Sequence, residues 1–282
     1  MATVTATATA ATRAGRRAKG IDLGPLGTLA RRRFQLTART PREILVPLLT
    51  PILFALVIAP ALKAALHTSS AYESFVAIGT IGLLIPLNTM FAGLSVIVDR
   101  DSGAQRELLA APVPRGMIVL GNLAVALALT TVQLVALIAV AVARGIHFGA
   151  SATGVGWFVA TSILFTIGMY GAAEVLASRV PKQEEYIARV PAIAIVPWFL
   201  AGSLFPISAL PAFLTWFAKF LPLTHGLALM RYGLLGDATG LHHIWGLANT
   251  TAMATLSLVV VAVFASALIA VSIRVFTRSA LR

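Results

Sequence analysis

Six apolar stretches, each about 18–28 residues long, divide this chain of 282 residues, and the basic residues fall almost entirely on alternate sides of them. The stretches run over Ile44–Leu66, Ser74–Val98, Met117–Ala143, Val155–Ala177, Val190–Ile207 and Leu247–Ile273. A helix needs about 20 apolar residues to cross the hydrocarbon core of a bilayer, so each is a candidate span. When the segments between them are alternated, 18 of the 22 lysines and arginines lie on one side. Nine precede the first stretch, followed by Arg100, Arg106 and Arg115, then Arg179, Lys182 and Arg189, then Arg274, Arg278 and Arg282. The other side holds Lys63, Arg144, Lys219 and Arg231. Excess Lys and Arg marks the cytoplasmic face, which places both termini there. The expected fold is all-α and integral to the membrane, with six transmembrane helices.

Composition bounds the partners. Hydrophobic residues make up 58% of the chain and charged residues 11%, too few charges for a soluble domain of this size. The net charge of +12 tracks the spans rather than one face of a soluble fold, so it argues against nucleic acid and for membrane lipids, the anionic inner leaflet above all. The absence of cysteine removes disulfides and thiolate metal sites. The frequent Ala, Val, Arg and Gly resemble the usage of high-GC bacteria, which points to a bacterial cell membrane. Residues 1–22, an Ala/Thr repeat followed by Arg13, Arg16, Arg17 and Lys19, are expected to be a disordered basic tail. A secretory signal fits less well, because the first apolar run starts only at Ile44 and is long enough to span. Residues 23–282 then form one membrane domain, since no segment outside the spans is long enough to fold alone.

Leu23, Leu26, Ala30 and Phe34 share one helical face, which predicts an N-terminal helix lying in the interface, with Arg33 snorkelling to the headgroups. A basic tail without structure is the competing reading. Asn88 in the second span, beside Pro86 and Thr89, and Gln133 in the third are amides at membrane depth. Such groups are costly in lipid unless they face a partner or a cavity, so they serve as helix contacts, the commoner use, or line a translocation path. Glu174 is the one carboxylate within a span. Its place near the end of the fourth span suits pairing with Arg179, Lys182 or a headgroup rather than a proton relay. The histidines at 67, 147, 225, 242 and 243 are expected at the interface. The adjacent pair His242–His243 lacks the i, i+4 spacing of a helical metal site, which leaves an intramembrane enzyme little support.

Two further segments carry the functional signal. The first, DRDSGAQRELLAAPVPR over Asp99–Arg115, pairs Ser102 with Gln105 at capping-box spacing and sets Asp99 and Asp101 where a helix dipole favours them. Ala104, Leu108 and Ala111, with Leu109 beside them, make an amphipathic face that Pro112 and Pro114 terminate. A short helix held between spans 2 and 3 suits a subunit that receives a push from a soluble partner, although an ordinary interfacial turn shares the pattern. The second segment, Gly202–Arg231, is cut by Pro206, Pro211 and Pro222 into apolar pieces too short to cross. Phe213 and Phe217 recur at helical spacing in one piece, and Thr224 is a candidate N-cap of the next. An outer-leaflet re-entrant helical hairpin between spans 5 and 6, with Phe213, Trp216, Phe217 and Phe220 buried against the spans, keeps the C-terminus on the basic side.

These two segments resemble the type-2 ABC exporter permeases. The loop is similar to that family's acidic/basic–Gly–x–x–x–x–Leu–Leu–x–x–Pro loop, carried here by Ser102, Gly103, Gln105, Arg106, Glu107, Leu108, Leu109 and Pro112. Pro206, Pro211, Pro222, Leu223, Thr224 and Arg231 match the family's signature after its fifth span, and the six spans and interfacial helix match as well. The resemblance covers nearly all of the chain after about residue 25, and it looks closest to bacterial drug, lipid and nodulation-factor exporters. It implies a dimer with a second permease, identical or homologous, and two separate ABC ATPase subunits. Those would bind ATP and magnesium, since the chain has no G-x-x-x-x-G-K-[ST] loop of its own. It also implies that the loop helix couples to the ATPase, that the hairpin is an external gate, and that this chain alone has no catalytic residues, metal or cofactor. An ion-coupled secondary transporter is the alternative, which calls for charges nearer mid-membrane.

Overall fold

The computed structural model describes residues 24–39, 42–53, 56–57, 60–61, 64 and 70–279. The expected tail over residues 1–22 lies outside them, as does most of the later part of the first apolar stretch. Among the described residues every regular element of four or more residues is an α-helix: α1 (Gly24–Ala38), α2 (Arg42–Leu53), α3 (Ser70–Asp101), α4 (Ala104–Ala110), α5 (Arg115–Ala143) and α6 (Ala152–Arg179). There follow α7 (Gln183–Leu200), α8 (Ala212–Ala218), α9 (Pro222–Leu235), α10 (Thr239–Trp245) and α11 (Thr250–Ser279). Four of them, α3, α5, α6 and α11, are long and apolar enough to cross a membrane.

Of the remaining two expected spans, one differs from the hydropathy reading in its frame. Helix α2 carries Pro47 and Pro51 and is described as far as Leu53, with most of the rest of the Ile44–Leu66 stretch outside the described residues. Helix α7 does not run over Val190–Ile207; it starts seven residues earlier, at Gln183, and ends at Leu200. Glu184 and Glu185 occupy its first turn, where the positive end of the helix dipole favours carboxylates. Hydropathy alone cannot place the start of a helix whose opening turns are polar. Within α3 the helix runs through Pro86, and Thr89 turns its hydroxyl back onto the carbonyl oxygens of Ile85 (2.8 Å) and Pro86 (3.0 Å).

Helix α6 is the hub: α3, α9 and α11 all pack extensively on it, and α11 does so most of all. Helix α1 lies on α5, while α7 and α2 flank α3. Side-chain donors lock neighbours to backbone carbonyls inside this bundle. Tyr186 on α7 donates to Met90 O (2.7 Å) and Trp198 to Gly79 O (2.6 Å), both on α3. In an apolar medium such bonds matter because the carbonyl has no water to turn to.

Small residues set the α6–α11 approach. A Cβ built on Gly171 would sit 2.7 Å from the Leu268 carbonyl carbon and 2.8 Å from the Ile269 nitrogen, so the backbones touch and nothing flexible can yield. Overpacking of this kind costs about 1–3 kcal/mol. Gly171→Leu is therefore expected to lower the thermal midpoint of the detergent-solubilised protein. Gly156→Leu on the same helix, where no atom lies within 4 Å, should leave it unchanged.

Candidate functional site

The last turn of α3 organises one end of the bundle. Ser102 and Gly103 follow it, with Ser102 N bonding to Val98 O and Gly103 N to Arg100 O, and Gly103 takes the left-handed conformation at φ 80°. A glycine there ends one helix at little cost, and the same residue is the N-cap of α4. The expected capping box is therefore absent: Ser102 belongs to the end of α3 and gives its hydroxyl to Asp99 O (3.3 Å), and α4 has no side-chain cap. Gln105 is half-buried in the first turn. Arg106, Glu107 and Pro112 are exposed, while Leu108 and Leu109 pack on a cluster of Ile118, Val119, Tyr170 and Phe276. That cluster joins α4 to α5, α6 and α11, and Leu29 brings α1 into it.

Asp99 and Arg33 correct two expectations together. Asp99 does not serve the α4 dipole, and Arg33 does not snorkel outward. The two pair at 3.6 Å with Arg33 only 8% exposed, and the more exposed Arg32 stands 3.8 Å from the same carboxylate oxygen. Next in sequence, Arg100 caps the end of α6 through Ala177 O (3.2 Å), Val180 O (3.0 Å) and Pro181 O (2.8 Å), carbonyls that have no partner within their own helix. Glu174 is also placed differently from expectation. It is enclosed completely, and its partner is the Tyr170 hydroxyl at 2.9 Å rather than Arg179, Lys182 or a headgroup. The side chain points inward from α6, an orientation that distance along the sequence does not reveal.

Asn88 donates to the Thr130 hydroxyl, bridging α3 and α5, which is a helix contact. It also lines a small cavity with Arg33, Thr37, Asn122 and Tyr170. Gln133, one turn beyond Thr130, is likewise buried in the bundle. These two amides and the loop helix lie on connected elements, while the proline-rich segment gathers at the opposite end of α3.

There each proline marks a helical start. Pro206 leads a 3₁₀ turn over Ile207–Ala209, Pro211 is the N-cap of α8, and Pro222 is the first residue of α9, where its missing N–H leaves nothing unpaired. Thr224 does not cap α9: Leu221 is the N-cap, and Thr224 is buried in the first turn with no hydrogen-bond partner for its hydroxyl. The aromatic residues of α8, and Phe220 just after it, depart from expectation as well. Phe213 is 71% exposed, and Trp216, Phe217 and Phe220 also face outward. Helix α8 instead turns its small side to the body, with Ala218 buried and Thr215 donating to Ile207 O (2.8 Å) and Leu210 O (3.1 Å). Arg231 of α9 is buried, its guanidinium carbon 3.4 Å above the Phe75 ring. It donates to Phe75 O (3.3 Å) and Ser203 O (3.1 Å), tying α9 to the start of α3 and to the turn after α7.

Sequence reasoning also missed α10 and the core role of His225. That residue is buried against Lys219 O (2.9 Å) and the Ser257 hydroxyl (3.2 Å), which Trp245 also meets. Among the described residues no cluster of His, Asp or Glu could hold a metal ion.

The chain belongs to the ABC-2 type transporter family, whose model matches residues 25–235. That span takes in the loop helix and the whole proline-rich segment. No protein of curated function matches the sequence. Family membership makes this a multi-pass membrane transport subunit, not itself catalytic, that works with ABC ATPase partners.

Removing one member of a buried ion pair strands the other and costs up to about 3–5 kcal/mol. Asp99→Asn is expected to loosen α1, seen as faster amide hydrogen exchange over Gly24–Ala38. Arg32→Gln should have little effect, since Arg32 is about a third exposed. Equal exchange in Asp99→Asn and wild type would show that the pair does not hold α1.

Proposed function

We propose that this ABC-2 type transporter is the permease of an ATP-driven exporter. It moves a hydrophobic or amphipathic substrate, a drug, lipid or glycolipid, out of the cytoplasm or the inner leaflet. It pairs with a second permease, identical or homologous, and with two ATPase subunits that bind the ATP and magnesium. The four long helices, together with α2 and the residues after it and with α7, form six spans in a bacterial cell membrane, with both termini cytoplasmic. Residues 1–22 are a basic tail and 23–282 the permease domain.

The observation that carries this reading is the α3–Gly103–α4 junction. Helix α4 presents Arg106 and Glu107 to solvent and roots Leu108 and Leu109 in the bundle. Only Ser102 and Gly103 separate it from the last turn of a helix 32 residues long. A partner that displaces α4 therefore displaces α3 without slack. Ser102, Gly103, Gln105, Arg106, Glu107, Leu108, Leu109 and Pro112 form the ATPase-coupling segment, and α1 lies beside it through the Arg33–Asp99 pair. Asn88 and Gln133 put amides beside the translocation path between α3 and α5. At the outer end, Pro206, Pro211, Phe213, Phe217, Pro222, Thr224 and Arg231 make the gate. The ion-coupled alternative has one supporting observation, the enclosed Glu174. Transport that ignores vanadate and stops in Glu174→Gln would favour it.

Leu108→Asp or Gly103→Pro is expected to leave the protein in the membrane while abolishing substrate-stimulated ATP hydrolysis and co-purification with the ATPase. Unchanged values for both would remove the coupling role.

Orientation has its own test, free of background because the chain has no native cysteine. Cysteines at Ser151 and Ser208 should react with an impermeant maleimide added outside, and ones at Ser102 and Ser279 should not. Reaction at Ser279 from outside would mean an odd number of spans.

A further inference from the structure

We propose that a second, wholly apolar cavity at mid-depth of the bundle binds an uncharged alkyl or aryl group, separately from Asn88 and Gln133. The cavity has a volume of about 250 Å³, and every residue lining it is apolar. Its walls include Pro86, Phe165, Met169, Pro197, Pro222 and Phe264. Pro86 lies at the middle of α3, Phe165 at the middle of α6 and Phe264 at the middle of α11, so the site sits where a spanning helix is deepest in hydrocarbon. Three of these walls are proline rings, too short to reach across as a leucine would. The Phe165 and Phe264 rings stack at 6.1 Å with 22° between their planes and form a flat aromatic side.

Such a space does not suit water, which needs two to four polar partners in a cavity. An apolar cavity of about 150 Å³ stays dry yet binds benzene, and this one is larger. Pro197, Pro222 and Phe264 are only half-buried, which leaves the mouth open at the protein surface. Met169 supplies an adaptable wall, since its unbranched thioether fills irregular gaps. The ligand is thus the apolar part of a molecule, and any polar head stays outside. A lipid acyl chain and the hydrophobic moiety of a transported substrate share that chemistry. The position gives the site a consequence for transport: Pro86 belongs to the helix joined to α4, while Pro222 begins α9. An occupant touches the pushed helix and the gate together. Only this last step rests on the exporter reading.

The test uses the full chain in nanodiscs without ATPase, so it stands apart from any failure of ATP-driven transport. Two probes are photolysed, a phosphatidylcholine carrying a mid-chain diazirine and a small free alkyl diazirine, and adducts are mapped by mass spectrometry. Adducts are expected at Phe165–Ala172 and Leu221–Leu223. Labelling there by the photolipid identifies a bilayer chain as occupant, and labelling by the small probe alone identifies a freely diffusing apolar ligand. Ala172→Phe, which fills the cavity, should reduce these adducts about tenfold, the scale on which an apolar pocket senses one or two methylenes. Leu268→Phe fills it from α11 if Ala172→Phe fails to fold, and Phe264→Ala should increase labelling. Val132, 63% exposed on α5, should take up photolipid equally in all variants. Val132 labelling without adducts at Phe165–Ala172 from either probe, or adducts that both filling variants leave unchanged, would overturn the proposal.

Discussion

At the end of α3, two adjacent side chains help decide how six helices meet. Asp99 faces α1 and takes the charge of Arg33, while Arg100 turns the other way and closes the exposed carbonyls at the end of α6. Gly103 then reverses the chain into α4, whose leucines settle among residues of α5, α6 and α11. The underlying constraint is that of any chain in hydrocarbon: a charge or carbonyl without a partner is expensive. At this end of the bundle Arg33 and Asp99 satisfy each other and Arg100 satisfies backbone carbonyls. The rest of the interior can then be built almost entirely from apolar side chains and short hydroxyl-to-carbonyl bonds within single helices.

The opposite end follows the same rule by different means. Arg231 is buried, yet its Nη2 meets two carbonyls and its face meets an aromatic ring. Guanidinium suits this because its planar fork can hydrogen-bond in plane and stack above and below. The three prolines around it start helices without leaving orphan amides. The result is a set of short helices anchored by a buried cation on one side and exposing aromatic rings on the other.

The features legible in the sequence were those with a one-dimensional signature. Apolar length and the alternation of arginines located the four long helices, and proline positions marked each helical start between α7 and α9. The Gly103 loop and the proline-rich segment carried the family resemblance, and both fall within the matched span. Features made by contacts between distant residues were not legible. Nothing near Arg33 signals that its partner lies at Asp99, and nothing near Glu174 shows that it points into the bundle. The frame of α7 was misread because its first turns are polar. Thr224 looked like a cap because hydroxyl-bearing residues cap helices, but Pro222 starts the helix two residues earlier.

The continuity of α3 through Pro86 has a mechanical consequence. With 1.5 Å of rise per residue, its arms on either side of that proline measure about 22 Å toward Asp101 and about 16 Å toward Phe75. Treated as a stiff rod pivoting at Pro86, it acts as a see-saw. A sideways displacement of ~2 Å at Asp101 becomes ~1.5 Å in the opposite sense at Phe75. Phe75 is the ring beneath Arg231, so the far arm ends on the contact that fastens α9. A see-saw with a shorter far arm passes on about three-quarters of the motion, and it sets how large a movement at one end of the helix must be to disturb the other.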